Sequence, residues 1–166
     1  QSLWVFTPDG WEQWVAEKRP TDTLLPTITA TEYPVATGAD TFTMDYQEVL
    51  ALSHNRSAVL LDVRPGDLFS GKKSDEARAG RIPGALNRFF KDNLQADGRF
   101  KPAAALRAEF AALHATPSQL VHQCGSGVTA CHNLLAMEHA GLAGSALYPG
   151  SWSEWCSDPS RPVARG

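Results

Sequence analysis

Leu120-Val-His-Gln-Cys124-Gly-Ser-Gly-Val-Thr-Ala130 is the stretch on which the fold turns. An apolar run ends at Gln123, a cysteine follows, two glycines flank a serine, and a helix-forming segment begins. Leu120 and Val121, central in Gln119–Gln123, predict a buried strand, and Val128–Ala140 predicts a helix ended by Gly141. Gly125 and Gly127 permit positive φ and let the backbone curl without Cβ clashes. A curled loop turns successive N–H groups inward as an anion-binding concavity, and the helix N-terminus adds unpaired donors and partial positive charge. A thiol at the centre of that ring is stabilised as a thiolate, so Cys124 is the candidate nucleophile and needs no adjacent His to activate it.

Working outward, strands and helices alternate. Ala58-Val-Leu-Leu-Asp62 predicts a second buried strand and Ala146–Tyr148 a third. Helices are expected over Asp45–Ser53, over Ala-rich Pro102–His114 with Pro102 in its first turn, and over Trp152–Cys156. The charged, Gly-flanked Gly71–Gly80 stretch reads as a loop. Strands separated by helices of 10–15 residues predict an α/β fold, a parallel sheet covered on both faces. Residues 20–43 carry Pro20, Pro26 and Pro34 with many threonines and no hydrophobic period, which predicts an extended linker. Before it lies the short segment Trp4–Arg19.

That segment echoes the chain's other end. Gly10-Trp11-Glu12-Gln13-Trp14 precedes Arg19-Pro20, and Ser151-Trp152-Ser153-Glu154-Trp155 precedes Arg161-Pro162. Either a helix with two Trp on one face recurs by chance, or a domain is duplicated and the first copy is the tail of an upstream domain.

A chain of 166 residues fits about one domain with a sizeable core. Fifteen Lys plus Arg against 18 Asp plus Glu leave a net charge of −3, no electrostatic footprint for nucleic acid or anionic lipid. No apolar run approaches a membrane span; the densest, Ala58–Leu61, stops at Asp62. No basic segment precedes an apolar one as in a signal peptide, and a chain starting at Gln1 reads as a processed product or a fragment. The cysteines are Cys124, Cys131 and Cys156, an odd count without a Cys-x-x-Cys pair. They predict neither a disulfide framework nor a metal site and fit a reducing, cytoplasmic setting. Cys131 and Cys156 are expected as packing residues. His122, two before Cys124 and so on the same strand face, is expected as a satisfied structural histidine.

Cys124-Gly-Ser-Gly-Val-Thr-Ala130 resembles the active-site loop of rhodanese-type sulfurtransferases. Asp62-Val63-Arg64 resembles the family's Asp-x-Arg after its first core strand. Gly80-Arg-Ile-Pro-Gly84-Ala resembles its Gly-His-Ile-Pro-Gly-Ala, with Arg81 in place of His. Tyr148-Pro-Gly-Ser-Trp152-Ser-Glu-Trp155 resembles its closing Tyr-Asp-Gly-Gly/Ser-Trp-x-x-Trp, with Pro149 in place of Asp. The motifs stand in the family's order. The resemblance implies a rhodanese-like fold, a parallel sheet of about five strands with helices on both faces. It implies residues 1–20 as the tail of a preceding rhodanese-like domain, 21–43 as linker and 44–166 as the catalytic domain of a tandem enzyme. The implied reaction carries a sulfane sulfur from thiosulfate or 3-mercaptopyruvate to cyanide or a thiol acceptor through a Cys124 persulfide, without metal or cofactor. Gly125, Ser126, Gly127, Val128 and Thr129 would hold the sulfur anion. Arg64, Arg78, Arg81 and Trp152 are its candidate substrate-binding residues; an Asp62–Arg64 structural pair and a core role for Trp152 stay open beside that. The loop Cys-Gly-Ser-Gly-Val is similar to the mercaptopyruvate members, because thiosulfate-specific ones carry basic residues at the positions of Gly125 and Ser126. The mercaptopyruvate members also bring a His and an Asp from the preceding domain to the loop serine, so an upstream domain is an expected partner.

Two rivals are weighed. A cysteine-dependent phosphatase needs Arg six residues past the nucleophile to clamp phosphoryl oxygens, and Ala130 stands there. A non-catalytic binding or regulatory module of the same fold is the remaining alternative, and retention of the cysteine with both glycines argues against it.

Overall fold

The computed structural model describes residues 8–24, 27, 29–30, 32, 42–113 and 115–166. It divides into two compact units, residues 1–38 and 39–166. In the first, helix α1 spans Pro8–Ala16, and Trp14 Nε1 donates to Pro20 O at 2.9 Å. Trp11 and Val15 on this helix are exposed. The start of the predicted Trp4–Arg19 segment and residues 33–41 of the linker lie outside the described residues.

The second unit opens with helix α2 (Tyr46–Asn55). Asp45 begins it because its carboxylate accepts from the N–H groups of Gln47 and Glu48, and Glu48 Oε2 reciprocates on the Asp45 N–H. Strand β1 (Val59–Asp62) leads into the one-turn helix α3 (Gly66–Phe69), then strand β2 (Leu86–Asn87). Helix α4 (Ala103–Ala111) follows, then strand β3 (Leu120–Gln123) and helix α5 (Val128–His139). Strand β4 (Ala146–Leu147) and helix α6 (Ser151–Ser157) complete it. Pro102 caps α4 from outside its first turn, and His114, the expected last residue of that helix, lies outside the described residues.

All pairings are parallel, in the order β2-β1-β3-β4. Among the described residues four strands form where about five were expected. The fifth lane is one parallel bridge, Thr43 beside Leu147, with Met44 N on Leu147 O at 2.8 Å. It stops there because the next residue, Asp45, already caps α2.

Side-chain alternation sends β1 and β3 into two different cores. Leu60 and Val121 pack with Val49, Tyr148, Trp152 and Trp155, on the face covered by α2 and α6. Leu61 and Leu120 pack with Leu106 and Phe110 of α4 and Ala136 and Met137 of α5 on the other. Every residue of β3 is buried, as expected for a central parallel strand. Cys124 leaves this strand at its carboxyl end, where open parallel sheets place their ligands.

Candidate active site

Cys124 is 1% exposed and packs among Val63, Ala130 and Leu147. The chain's final helix holds the loop around it. Trp152 N donates to Cys124 O at 3.0 Å and Ser153 N to Gly125 O at 2.9 Å. In a trans peptide the carbonyl and the next residue's N–H point opposite ways. Binding these two carbonyls to the first turn of α6 therefore turns the N–H groups of Gly125 and Ser126 away from α6. Among the described residues, no backbone carbonyl accepts from the N–H of Gly125, Ser126 or Gly127. With the open first turn of α5 they make a concentration of donors beside the sulfur that favours negative charge there.

The two glycines differ. Gly127 is the left-handed N-cap of α5 at φ 85°, and a Cβ there would stand 2.6 Å from Pro149 O. Gly125 has no positive φ, and a Cβ there would meet nothing within 4 Å. Of the two glycines that permit positive φ, Gly127 alone uses it: one left-handed residue suffices to turn the chain from β3 into α5.

Ser151, unnoticed as a site residue in the sequence, ties α6 to Cys124. It is fully buried, its Oγ accepts from Cys124 N at 3.1 Å, and it donates to Tyr148 O at 2.9 Å. It holds φ 52°, a left-handed backbone that a non-glycine residue adopts only under constraint. Ser151→Ala is expected to lower stability by about 1–3 kcal/mol, since it strands a buried N–H. Ser151→Gly should lose less, because the backbone is relieved; chemical denaturation of both variants checks the order. Ser153 Oγ lies between Gly125 O at 2.8 Å and Glu76 Oε1, and its single proton serves one of them at a time. Glu76 thereby joins the 71–80 loop to the site.

The arginines singled out in the sequence carry other contacts. Arg64, 4% exposed, grips Asp62 with Nη2 on Oδ2 at 2.7 Å and Nε on Oδ1 at 3.1 Å. Its Nη2 also donates to Gly80 O at 2.8 Å, and its guanidinium lies 4.7 Å from the Trp152 ring centre. Burial pushes the Asp62 carboxyl up, against the pull of Arg64. Trp152 is 1% exposed and donates Nε1 to Arg78 O at 3.1 Å, so its ring lies in the core. Arg78 Nη1 donates to Asp158 O and Arg161 O, and Arg81 Nη1 to Gly166 O, with the Arg81 guanidinium over Phe69. Thus Arg64 and Trp152 come together behind the loop, while Arg78 and Arg81 anchor the C-terminal segment.

Cys156 is buried as expected, but Cys131 is exposed, which corrects its assignment to packing. The buried stripe of α5 runs through Ala130, Asn133, Ala136 and Met137, and Cys131 falls to its side. Its Sγ donates to Gly127 O at 3.4 Å, and the partial shielding of the sulfur, with the neighbouring Cys124, pushes its thiol up. Among the described residues no three His, Cys, Asp or Glu side chains converge as a metal site, and no helix is long and apolar enough to cross a membrane.

His122 is fully buried, yet neither ring nitrogen has a hydrogen-bond partner, so the expected satisfied histidine is not found. Burial, and then the nearby Arg88, push its ring down to about 4 from an ordinary 6.5. The unfolded chain therefore takes up a proton on His122 before the folded one does. Stability on this account is full above pH 6.5 and falls as pH drops towards 4, by about 3 kcal/mol. His122→Leu should flatten that acid limb in denaturation curves taken across the range.

The sequence profile described as Rhodanese-like domain matches residues 45–158. A probable 3-mercaptopyruvate sulfurtransferase of Pseudomonas aeruginosa is 52% identical over 110 residues, 64% of this chain and 39% of that protein. A putative thiosulfate sulfurtransferase of Mycobacterium leprae is 30% identical over 185 residues, 99% of this chain and 62% of that protein. The chain thus spans less than two thirds of either relative's length. An anaerobic ergothioneine biosynthesis enzyme from Chlorobium limicola, solved with trimethyl histidine, shares the fold with TM-score 0.81 at 22% identity. That likeness covers 95% of this chain and 40% of the other.

Proposed function

Because the chain belongs to the rhodanese-like family, we propose that it is a sulfurtransferase whose sulfur carrier is Cys124. The observation that carries this is the loop itself: a cysteine at the carboxyl end of β3, its following carbonyls drawn to α6 and its N–H groups left to an anion. The Cys124 thiolate attacks the outer sulfur of the donor. With thiosulfate, the sulfur–sulfur bond breaks and sulfite leaves with the electron pair. With 3-mercaptopyruvate, the carbon–sulfur bond breaks, and the carbon fragment takes that pair and a proton to leave as pyruvate. Cys124 becomes a persulfide, and cyanide or a thiolate then takes its terminal sulfur, returning the thiolate. The N–H groups of Gly125, Ser126, Gly127, Val128 and Thr129 hold the charged sulfur, with the Ser126 and Thr129 hydroxyls as further donors. The absence of a basic side chain at Gly125 and Ser126 favours 3-mercaptopyruvate over the thiosulfate dianion, in keeping with the name of the 52% identical relative. Arg64 and Trp152 serve by fixing the loop from behind, and Arg78 and Arg81 by fastening the C-terminal segment.

Residues 1–20 we read as the tail of a preceding rhodanese-like domain that completes the site, joined through the linker 21–43. Support comes from the echo: Trp14 Nε1 donates to Pro20 O at 2.9 Å as Trp155 Nε1 donates to Pro162 O at 2.8 Å. In α6 both tryptophans are buried, whereas Trp11 is 57% exposed.

Intact-mass analysis after mixing with each donor tests the function. A gain of one sulfur, ~32 Da, on the parent and none on Cys124→Ser is the expected result, faster with 3-mercaptopyruvate. No gain with either donor, with and without an upstream-domain fragment, would leave a non-catalytic binding module.

A further inference from the structure

Under the Cys124 loop, between β3 and α5, lies a layer of polar side chains that sulfur transfer does not use. Leu120, His122 and Cys124 alternate onto one face of β3. Leu120 packs with Ala136, Met137 and Ala140 towards the end of α5, and Cys124 with Ala130 near its start. The helix thus runs back over this face. Helical spacing puts Asn133, between Ala130 and Ala136 on the buried stripe, on the side of α5 that covers this face of β3.

His122, Asn133 and Asn93 are all fully buried. Asn93 Nδ2 donates to Asn133 Oδ1 at 2.5 Å and stands 3.4 Å from His132 Nδ1. Arg88 Nη2 donates to Asn93 Oδ1 and to Glu109 Oε2, both at 2.9 Å. Glu109 also accepts from Lys101, and these two cations hold its carboxyl below the usual range although burial alone would raise it. The layer is thus bonded along one side. Along the other, Asn133 Nδ2, Arg88 Nε and both ring nitrogens of His122 have no partner.

A neutral imidazole has one N–H and one bare nitrogen, so the unpaired set is three kinds of donor and one acceptor. Four such groups left unpaired in an apolar interior would cost several kcal/mol together. We propose that His122 and Asn133, with Arg88, enclose a hydration site: one or two bound water molecules between β3 and α5, directly beneath the Cys124 loop. Water matches the set, accepting from the amide and guanidinium while donating to the bare ring nitrogen. A monatomic anion such as bromide accepts but cannot donate to the bare ring nitrogen. Bound water here fastens the middle of α5 to β3. The first turn of α5, which borders the sulfur, is seated by that contact.

A high-resolution crystal structure of the native chain, with a parallel bromide soak, is the first test. The expected result is a solvent peak within about 3.2 Å of a His122 ring nitrogen and of Asn133 Nδ2, not replaced by bromide. A ring packed only on carbon atoms, or a bromide peak in its place, overturns the proposal. In solution, oxygen-17 relaxation dispersion should show one or two fewer long-lived waters in His122→Leu and in Asn133→Leu. Glu138→Gln, on the exposed side of α5, should show no change. Unchanged counts in folded leucine variants overturn the proposal too. If neither variant folds, the native crystal structure decides.

Discussion

Gly127→Ala is expected to slow persulfide formation on Cys124 at least tenfold and to lower stability by roughly 2–5 kcal/mol. Two costs add at this position. An alanine must adopt φ 85°, which an L side chain resists by about 1–2 kcal/mol. Its Cβ would also stand 2.6 Å from Pro149 O, a backbone atom that cannot swing aside. Pro149 stands two residues before α6, whose first turn holds the loop carbonyls, so any relief of the clash moves the clamp as well. Gly125→Ala, two residues away, has ordinary φ and open space, and should stay near the parent in both respects. Urea denaturation and a mass-spectrometric time course on the pair decide the matter. Equal losses in the two variants would mean that the left-handed turn does not shape the site.

Arg64→Met should cost about 3–5 kcal/mol, because it leaves the Asp62 carboxylate buried without its cation. Asp62 is 0% and Arg64 4% exposed, so water cannot replace the lost guanidinium. Arg64→Lys should rescue only a fraction. An ammonium cannot bind the carboxylate in two places, reach Gly80 O and lie flat on Trp152 at once. The double variant Asp62→Leu/Arg64→Met removes both charges and should recover much of the loss. Thermal unfolding of the three proteins gives the comparison. A double variant as unstable as Arg64→Met alone would show that the bond to Gly80, not the ion pair, carries the stability.

The helices and central strands were legible because their signals are local. The apolar run at Leu120–Gln123 and the glycine-flanked cysteine announce strand, loop and helix in sequence. Of the shorter pieces β4, which is buried, was legible, whereas β2, two exposed residues, and α3, one turn, escaped. Cys124 was evident, but its clamp was not. Ser151 reaches Cys124 N only after the chain has folded back across 27 positions, and no local pattern marks a serine that will do so. The arginines show the same divide: a guanidinium is visible in the sequence, but the carbonyl that will occupy it is not. Cys131 was misassigned because a helix position cannot be placed inside or outside until the buried stripe of that helix is known.

The clamp between the cysteine loop and the last helix also orders events in time. A ribosome releases Cys124 well before Ser151, Trp152 and Ser153. During that interval the thiol has neither its folded surroundings nor the donors aligned by α6, so a nascent chain carries an ordinary, unassisted cysteine. On the proposed reading, a product cut before residue 151 lacks the clamp and should form the persulfide more slowly than the chain that carries α6.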